Sequence, residues 1–113
     1  MNKTFTLAEV FPVVTGRILT DITPVYDVLN HASGTELFTH HLPLAADYFR
    51  ANTPKWWKDS LERVNAIMEE KGVTFTRFDE ISKEDFTEEV IIERISYAEK
   101  VEFTKYLIDN SLL

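Results

Sequence analysis

Two adjacent histidines, His40 and His41, are the residues of this chain with the most versatile chemistry. An imidazole can bind zinc, or donate and accept protons near neutral pH. Helical zinc sites place two histidines four residues apart, as in His-Glu-x-x-His, and that pattern is absent. Neighbouring side chains also diverge on a strand or a helix, and His31 is the only other histidine. We therefore expect no metal site, no cofactor and no catalytic residue here.

The Leu42-Pro43 step indicates a structural role for the same histidines. A residue before proline is pushed out of the helical region, whereas proline itself fits the first turn of a helix. We expect the histidines to lie in the turn before a helix that begins at Pro43. Thr39 and His40 would bond to the backbone, and His41 would be exposed. Polar loops at helix starts often bind ligands, so Thr39, His40 and His41 stay candidates for partner contacts.

A second polar turn, Thr15-Gly16-Arg17, carries a cation. An arginine after a flexible turn can receive a phosphate or a carboxylate. The pattern is too short for a phosphate-binding loop, which needs several glycines and a lysine. An ion pair with Asp21 or Asp27, or a contact with the end of the first helix, is favoured over a ligand role. Arg17 is nevertheless a candidate for partner binding.

Seven carboxylates crowd one stretch of the second half of the chain. They are Asp79, Glu80, Glu84, Asp85, Glu88, Glu89 and Glu93. One simple interpretation is a solvated helix face with acids near the helix N-terminus. The sharper hypothesis is a surface that imitates a nucleic-acid backbone and occupies the cationic groove of a partner protein. Electrostatic complementarity would then speed the docking.

The composition limits the class of protein. With 113 residues, of which 44% are hydrophobic, the chain can bury the core of a single domain. The absence of cysteine excludes disulfides and thiolate zinc sites. The net charge of −7 argues against direct nucleic-acid binding, which needs clustered cations. The N-terminus is unlike a signal peptide, and no apolar run approaches the roughly 18 residues of a membrane helix. We expect a cytoplasmic monomer or homodimer without membrane contacts.

Helices should position most of these residues. Apolar periodicity and capping residues predict helices that begin near Thr6, Thr23, Pro43 and Thr53, the first with a capping box from Thr6 and Glu9. Residues 73–78 alternate and predict a strand, with residues 17–20 or 36–39 as its partner. From Phe86 onward, near-heptad spacing predicts one long helix or two in series. The expected fold is mostly α (α+β), with about five helices in one compact domain and a minor two- or three-stranded β element.

Two adjacent tryptophans, Trp56 and Trp57, should lie on the helix that begins at Thr53. Neighbouring residues on a helix point about 100° apart. Trp57 shares an apolar stripe with Leu61 and Val64 and is expected in the core. Trp56 lies off that stripe, and tryptophan is enriched at binding hot spots. Trp56 is therefore either half-buried or an interface anchor.

The chain resembles a family of small, functionally uncharacterised phage and prophage proteins in three segments, residues 15–17, 26–30 and 37–45. The shared residues are Thr-Gly-Arg in the first segment, Tyr-x-x-Leu-Asn in the second and Leu-Phe-Thr-His-x-Leu-Pro-x-Ala in the third. His41 stands where the family has glutamine, and Leu44 where it has arginine. The resemblance covers the first half of the chain. It implies a phage or prophage origin and no particular reaction.

Together, the charge pattern and the resemblance predict a phage-encoded, non-catalytic binding protein. Its partner would be a host protein with a basic nucleic-acid-binding groove, most plausibly a defence protein such as a CRISPR effector. The seven carboxylates would form the contact, and Trp56 is a separate candidate for a partner contact. One alternative is a binder or sponge for a signal nucleotide, which would use Arg17, Arg77 and Phe78. Another is a phage accessory or structural protein without either activity.

Overall fold

The computed structural model describes residues 2–17, 22–72 and 83–110. In chain order, its elements are β1 (Asn2–Thr6), α1 (Leu7–Thr15), α2 (Thr23–Ser33), α3 (Leu42–Asn52), α4 (Lys55–Glu70), β2 (Glu89–Glu93) and α5 (Tyr97–Asn110), with 3₁₀ turns at Thr39–His41 and Lys83–Asp85. The strands β1 and β2 form an antiparallel pair. Five helices and one small sheet confirm the expected fold class. Within the described ranges, no helix has the length and apolar character needed to cross a membrane.

The first helix begins and ends as its sequence predicts. The Thr6 N–H donates to Glu9 Oε1 at 2.9 Å, and the Glu9 N–H donates to Thr6 Oγ1 at 3.3 Å. These reciprocal bonds are the predicted capping box. Gly16 ends α1 in the left-handed region, with φ 76°, and its N–H donates to the Pro12 carbonyl. Glycine adopts this conformation without the steric cost that a Cβ would impose.

The starts of the next helices differ by one position from the prediction. Ile22, not Thr23, is the N-cap of α2. Thr53 does not cap α4 but ends α3 in a left-handed conformation, with φ 46°, and its hydroxyl donates to the Arg50 carbonyl. Pro54 is therefore the N-cap of α4. The linker between the two helices consists of Thr53 and Pro54, of which the first ends α3 and the second begins α4.

The sheet that the structure describes lies where no strand was predicted. β2 occupies part of the stretch from Phe86 for which a helix was expected, and its partner β1 was not expected at all. Thr4 lies opposite Ile91, and Phe5 opposite Val90. Three consecutive β-branched residues, Val90 to Ile92, favour a strand over a helix. Residues 36–39 form a loop and the start of a 3₁₀ turn rather than a strand. The predicted strand at 73–78 lies outside the described residues.

The last helix begins at a capping box of Ser96 and Glu99 that was not predicted. Ser96 Oγ accepts a hydrogen bond from the Glu99 N–H at 3.2 Å, and the Ser96 N–H donates to Glu99 Oε1 at 3.3 Å. Phe103 and Leu107 face the core from α5. Of the near-heptad residues, Phe86 is buried and Val90 half-buried, but the four that lie on α5 are exposed: Tyr97, Val101, Thr104 and Ile108.

The core holds two groups of buried side chains. In the larger group, α1, α2, α3 and α5 meet, and the rings of Phe49 and Phe103 lie 5.7 Å apart. In the smaller group, α1 and α4 pack together with Phe86, whose ring lies 5.0 Å from Phe11. Trp57 is buried, as predicted. This packing holds α4 beside the sheet.

Candidate functional site

A cleft of about 800 Å³ lies between the N-terminal half of α4 and the whole length of β2. The α4 residues that line it share one helical face, because the later four lie one, four, five and eight residues after the first. They are Lys55, Trp56, Asp59, Ser60 and Arg63. The opposite wall runs from Glu88 to Ser96, and of that stretch only Ile92 does not line the cleft. One helix face and one strand therefore form its two walls.

The cleft follows the edge of β2 that β1 does not occupy. Four of the five β2 residues line it, from Glu89 to Glu93, whereas Asn2 is the one residue of β1 that does so and Leu7 of α1 lies at the other end. In the described part of the chain, the sheet has these two strands and no third. The outer edge of β2 therefore borders the cleft.

The floor of the cleft is aromatic with one buried hydroxyl. Trp56 is only 7% exposed, and its ring lies 5.8 Å from that of Phe49 and 5.7 Å from that of Trp57. Trp56 is thus more buried than the half-buried position that the sequence allowed. Ser60 is 2% exposed, and its Oγ has no hydrogen-bond partner among the described residues. An unsatisfied buried hydroxyl costs roughly 1–3 kcal/mol, so Ser60 is a suitable contact for a polar group entering the cleft.

Ion pairs hold part of the charge on the rim. Arg63 donates two hydrogen bonds to Glu88, with Nε 2.9 Å from Oε2. This hydrogen bonding lowers the pKa of the Glu88 carboxyl and raises the pKa of the Arg63 guanidinium. Lys55 Nζ lies 2.6 Å from Asp59 Oδ2, and that hydrogen bond raises the pKa of Lys55. These carboxylates are therefore compensated within the chain.

Glu89 and Glu93 have no ion pair with the cations of the described residues. Among the described residues, no lysine, arginine or histidine nitrogen forms a salt bridge with either carboxylate. Both project from the solvent face of β2, with Ile91 between them at 62% exposure. Glu89 and Glu93 are four residues apart, which is about 13 Å along a strand, and the large apolar side chain of Ile91 lies between their two charges. We name Glu89, Ile91 and Glu93 the β2 strip.

The other predicted carboxylates do not join this strip. Asp85 lies in a 3₁₀ turn and pairs with Lys71 Nζ at 2.9 Å. Glu84 is exposed in the same turn. Asp79 and Glu80 lie outside the described residues. The interpretation of the acidic run as the first turn of a long helix was wrong, because its described members occupy a turn, a loop and a strand.

The two histidines lie in a 3₁₀ turn before α3, as expected, but they do not diverge. Their ring centroids are 4.1 Å apart, and both rings pack against the exposed Phe38. His41 is half-buried, and its Nδ1 accepts the Phe38 N–H at 3.4 Å, whereas His40 is exposed. The predicted roles of the two histidines were therefore reversed. The Thr39 hydroxyl bonds to the Tyr26 hydroxyl instead of the backbone.

Their environment provides no evidence of a metal centre. Burial lowers the pKa of His41, and the charge of His40 lowers it further. Within residues 2–17, 22–72 and 83–110, no three acidic or imidazole side chains converge on a point that could hold a metal ion. Neither histidine lines the cleft.

Arg17 is also remote from the cleft. It is half-buried directly after α1, and its backbone N–H donates to Thr15 Oγ1 at 3.2 Å. Its predicted partner Asp21 lies outside the described residues, as do Arg77 and Phe78. The structure thus brings Trp56 together with Glu88, Glu89 and Glu93, which had been separate candidates. It keeps Arg17 and the histidine turn apart from them.

Several residues that line the cleft were not among the predicted site residues, including Ser60, Arg63, Ile91 and Arg94. Ser60 gives no sequence signal beyond its place on the face that carries Trp56. Ile91 does carry a signal, because an isoleucine flanked at two-residue spacing by glutamates is typical of the exposed face of a strand. Arg94 reaches back to α2, where its Nε lies 3.4 Å from the His31 carbonyl oxygen.

The first half of the chain is similar to a family without a known function. The domain of unknown function DUF7736 matches residues 5–60. The matched region contains the Thr-Gly-Arg turn, the histidine turn and the α4 wall of the cleft as far as Ser60. The β2 wall lies beyond it. No curated protein and no solved structure shows significant similarity to the chain.

Proposed function

We propose that this protein is a phage-encoded, non-catalytic binding protein that acts in the host cytoplasm. It would inhibit a nucleic-acid-dependent defence protein, such as a CRISPR effector, by occupying that protein's basic groove. The contact would be the β2 strip together with the adjoining cleft. The phage origin rests on the family resemblance of the first half, and the mode of binding rests on the geometry of the cleft.

The observation that supports this proposal is the uncompensated charge of the β2 strip. Glu88 and Asp59 already have cations, whereas Glu89 and Glu93 present their charge outward beside a large apolar side chain. An acidic rim around an apolar contact suits a basic protein groove, because lysines and arginines can pair at the rim while their stems pack inside. The acidic chain as a whole would also attract such a partner from a distance.

The chemistry of the cleft favours binding over catalysis. A general acid at neutral pH needs a carboxyl whose pKa is raised by burial. Glu88 has the opposite shift, because Arg63 stabilises its charged form. Among the described residues, the Ser60 Oγ has no hydrogen-bond partner that would activate it as a nucleophile, and Lys55, Asp59 and Arg63 of α4 are engaged in ion pairs.

The decisive experiment is charge reversal on the β2 strip with a matched control. Glu89→Lys/Glu93→Lys should abolish inhibition of DNA binding by a purified CRISPR effector. Glu62→Lys/Glu69→Lys changes the net charge equally on the exposed face of α4, outside the cleft, and should keep the inhibition. DNA binding is measured by fluorescence anisotropy at matched folded fraction, checked by circular dichroism.

The salt dependence provides a second criterion. Exposed charges are screened beyond about 8 Å at physiological ionic strength, so the association rate should fall as salt is added. Equal inhibition by both double variants would reject the β2 strip as the contact. Failure of the wild-type protein to inhibit any effector of a tested panel would reject the proposed function itself.

A further inference from the structure

We infer that the partner contributes an extended, basic segment that adds to the outer edge of β2 as a third strand. This inference rests on the proposed function, because it specifies how a basic partner would occupy the acidic cleft. Addition of a strand to an open sheet edge uses backbone hydrogen bonds for affinity and alternate side chains for specificity. Among the residues that the structure describes, the outer edge of β2 has no paired strand, and the cleft beside it adds a floor and a charged strip.

The hydrogen-bond pattern shows which backbone groups face the cleft. The Leu7 N–H donates to the Glu88 carbonyl at 2.7 Å, which makes these two residues a hydrogen-bonded pair. Such pairs alternate along an antiparallel ladder. Val90 and Ile92 therefore direct their backbone N–H and C=O groups towards β1.

The intervening residues consequently direct their backbone groups away from β1. These are Glu89, Ile91 and Glu93, the members of the β2 strip. Among the described residues, none of their N–H or C=O groups has a hydrogen bond outside the strand pairing. Three donors and three acceptors are thus presented to the cleft along about 17 Å of strand. This is the length that a five-residue segment would cover.

The position of α4 defines the inner side of the added strand. A third strand would lie about 4.8 Å from β2, within the cleft. Its inward side chains would meet the Trp56 ring and the Ser60 hydroxyl. A threonine or serine facing inward would provide the hydrogen bond that Ser60 lacks within the described part of the chain.

The β2 strip defines the outward side chains. Directly opposed residues on neighbouring strands interact, and opposite charges stabilise the pair. Lysine or arginine is therefore favoured opposite Glu89 and opposite Glu93, and an apolar residue opposite Ile91. The expected recognition pattern is basic-x-apolar-x-basic, with small polar residues at the x positions.

The same charges disfavour a second copy of this chain as the occupant. Edge-to-edge pairing of two β2 strands would bring glutamates close to glutamates, and like charges in opposition destabilise a strand pair. A basic partner has the complementary pattern. Charge complementarity thus selects a foreign strand over self-association at this edge.

The test uses a synthetic peptide with the core Lys-Thr-Val-Thr-Lys, flanked by Gly-Ser, and the full-length protein. Two N-methylated versions remove the N–H donors of the odd or of the even core residues. In an added strand, only one of these sets faces β2. One version should therefore lose at least about tenfold in affinity and the other should bind nearly as well as the parent. Calorimetry measures all three dissociation constants.

Variants of Ile91 test the protein side of the same bonds. Ile91→Pro removes an N–H that faces the cleft and leaves the bonds to β1 intact, so peptide affinity should fall about tenfold. Ile91→Ala keeps the N–H and should bind more tightly than the proline variant. Retained amide protection at Val90 and Ile92 verifies the strand. If the proline variant does not fold, the peptide comparison with wild-type protein decides the question.

The outcomes separate this inference from the proposed function. Equal binding by both methylated peptides, with binding lost in Glu89→Lys/Glu93→Lys, would overturn strand addition and keep the acidic contact. Strand addition would also be overturned if neither methylation nor charge reversal changed the affinity for the peptide, or if the peptide did not bind at all. The proposed function is tested separately by the inhibition of the effector.

Discussion

Arg63 and Glu88 join the two walls of the cleft although they are 25 residues apart in sequence. The guanidinium donates through Nε and Nη2 to the two carboxylate oxygens of Glu88. The Glu88 carbonyl also accepts the Leu7 N–H. One residue at the start of β2 is thus held by α4 through its side chain and by α1 through its backbone. The pair therefore connects the two walls of the cleft directly.

The pair predicts a pH dependence of stability. Because the hydrogen bonds from Arg63 lower the pKa of Glu88 in the folded state, the pair stabilises the fold above the ordinary value of 4.5. That contribution should disappear as the pH falls through the lowered value. The difference in free energy of unfolding between wild type and Glu88→Gln should therefore be present at neutral pH and shrink in acid. Urea titrations at about pH 7 and about pH 3 measure it.

Glu62→Gln is the matched control for this measurement. Glu62 is exposed on α4, and no ion pair involves it among the described residues. The difference in free energy of unfolding between wild type and Glu62→Gln should change little between the two pH values. If the difference in free energy of unfolding between wild type and Glu88→Gln were the same in acid as at neutral pH, the role assigned to the pair would be contradicted.

A second prediction concerns the contact between Gly34 and Arg94. Gly34 ends α2 with φ +67°, and a Cβ there would lie 2.9 Å from Arg94 Cδ and 3.3 Å from Cγ. Gly16 has a similar φ of +76° but open space at its Cβ position. Gly16→Ala should cost only the left-handed penalty of about 1–2 kcal/mol, and Gly34→Ala should cost more.

A double-mutant cycle isolates the steric part of that cost. In the background of Arg94→Ala, the obstacle is gone, and Gly34→Ala should then destabilise the protein about as much as Gly16→Ala. Thermal or urea unfolding measures all four states. If the excess cost of Gly34→Ala survived in the Arg94→Ala background, the steric contact would not be its cause.

The tryptophans provide a third prediction. Trp57 is 2% exposed and Trp56 7% exposed, so truncation of either to alanine should cost roughly 3–5 kcal/mol. Sequence alone suggested a smaller cost for Trp56, because its place off the apolar stripe of α4 concealed its packing against Phe49. Denaturant unfolding with an unchanged m-value measures both costs. A cost below about 1 kcal/mol for Trp56→Ala would show that the cleft floor is not packed as described.

Local signals predicted local structure well. The Thr6–Glu9 capping box and the glycines at 16 and 34 act within a few residues, so their effects can be predicted from the local sequence. β2 could not be assigned in the same way. Its pairing partner β1 lies at the opposite end of the chain, and contact between them decides the conformation of a stretch that also has helix-like spacing.

The candidate site depended on the same long-range contact. Trp56 and the glutamates were recognised separately by residue type, but nothing in the sequence places them in one cleft. The near-heptad residues of α5 gave the opposite error, because their regular spacing suggested a buried face that the structure leaves exposed. Their spacing is real, yet Phe103 and Leu107 occupy the inward face, so Tyr97 and Ile108 face solvent.

A fourth prediction concerns the histidine turn. His40 and His41 lie close together, but the described residues contain no third ligand near them, and a structural or catalytic zinc site needs at least three protein ligands. We expect elemental analysis of the purified protein to find no stoichiometric zinc. Stoichiometric zinc that is lost in His40→Ala but retained in His31→Ala would contradict this expectation.

The last prediction concerns amide hydrogen exchange in β2 of the unbound protein. Val90 and Ile92 direct their N–H groups towards β1, so their exchange should require opening of the sheet and be slow. The N–H groups of Glu89, Ile91 and Glu93 face the cleft and should exchange much faster. A residue-resolved measurement by NMR therefore should show alternation along five consecutive residues. Phe5→Ala, which weakens the buried side of β1, should accelerate exchange at Val90 and Ile92 and leave the other three nearly unchanged. Uniform protection of all five amides would show that the outer edge of β2 is already paired, and that the cleft does not offer it to a partner.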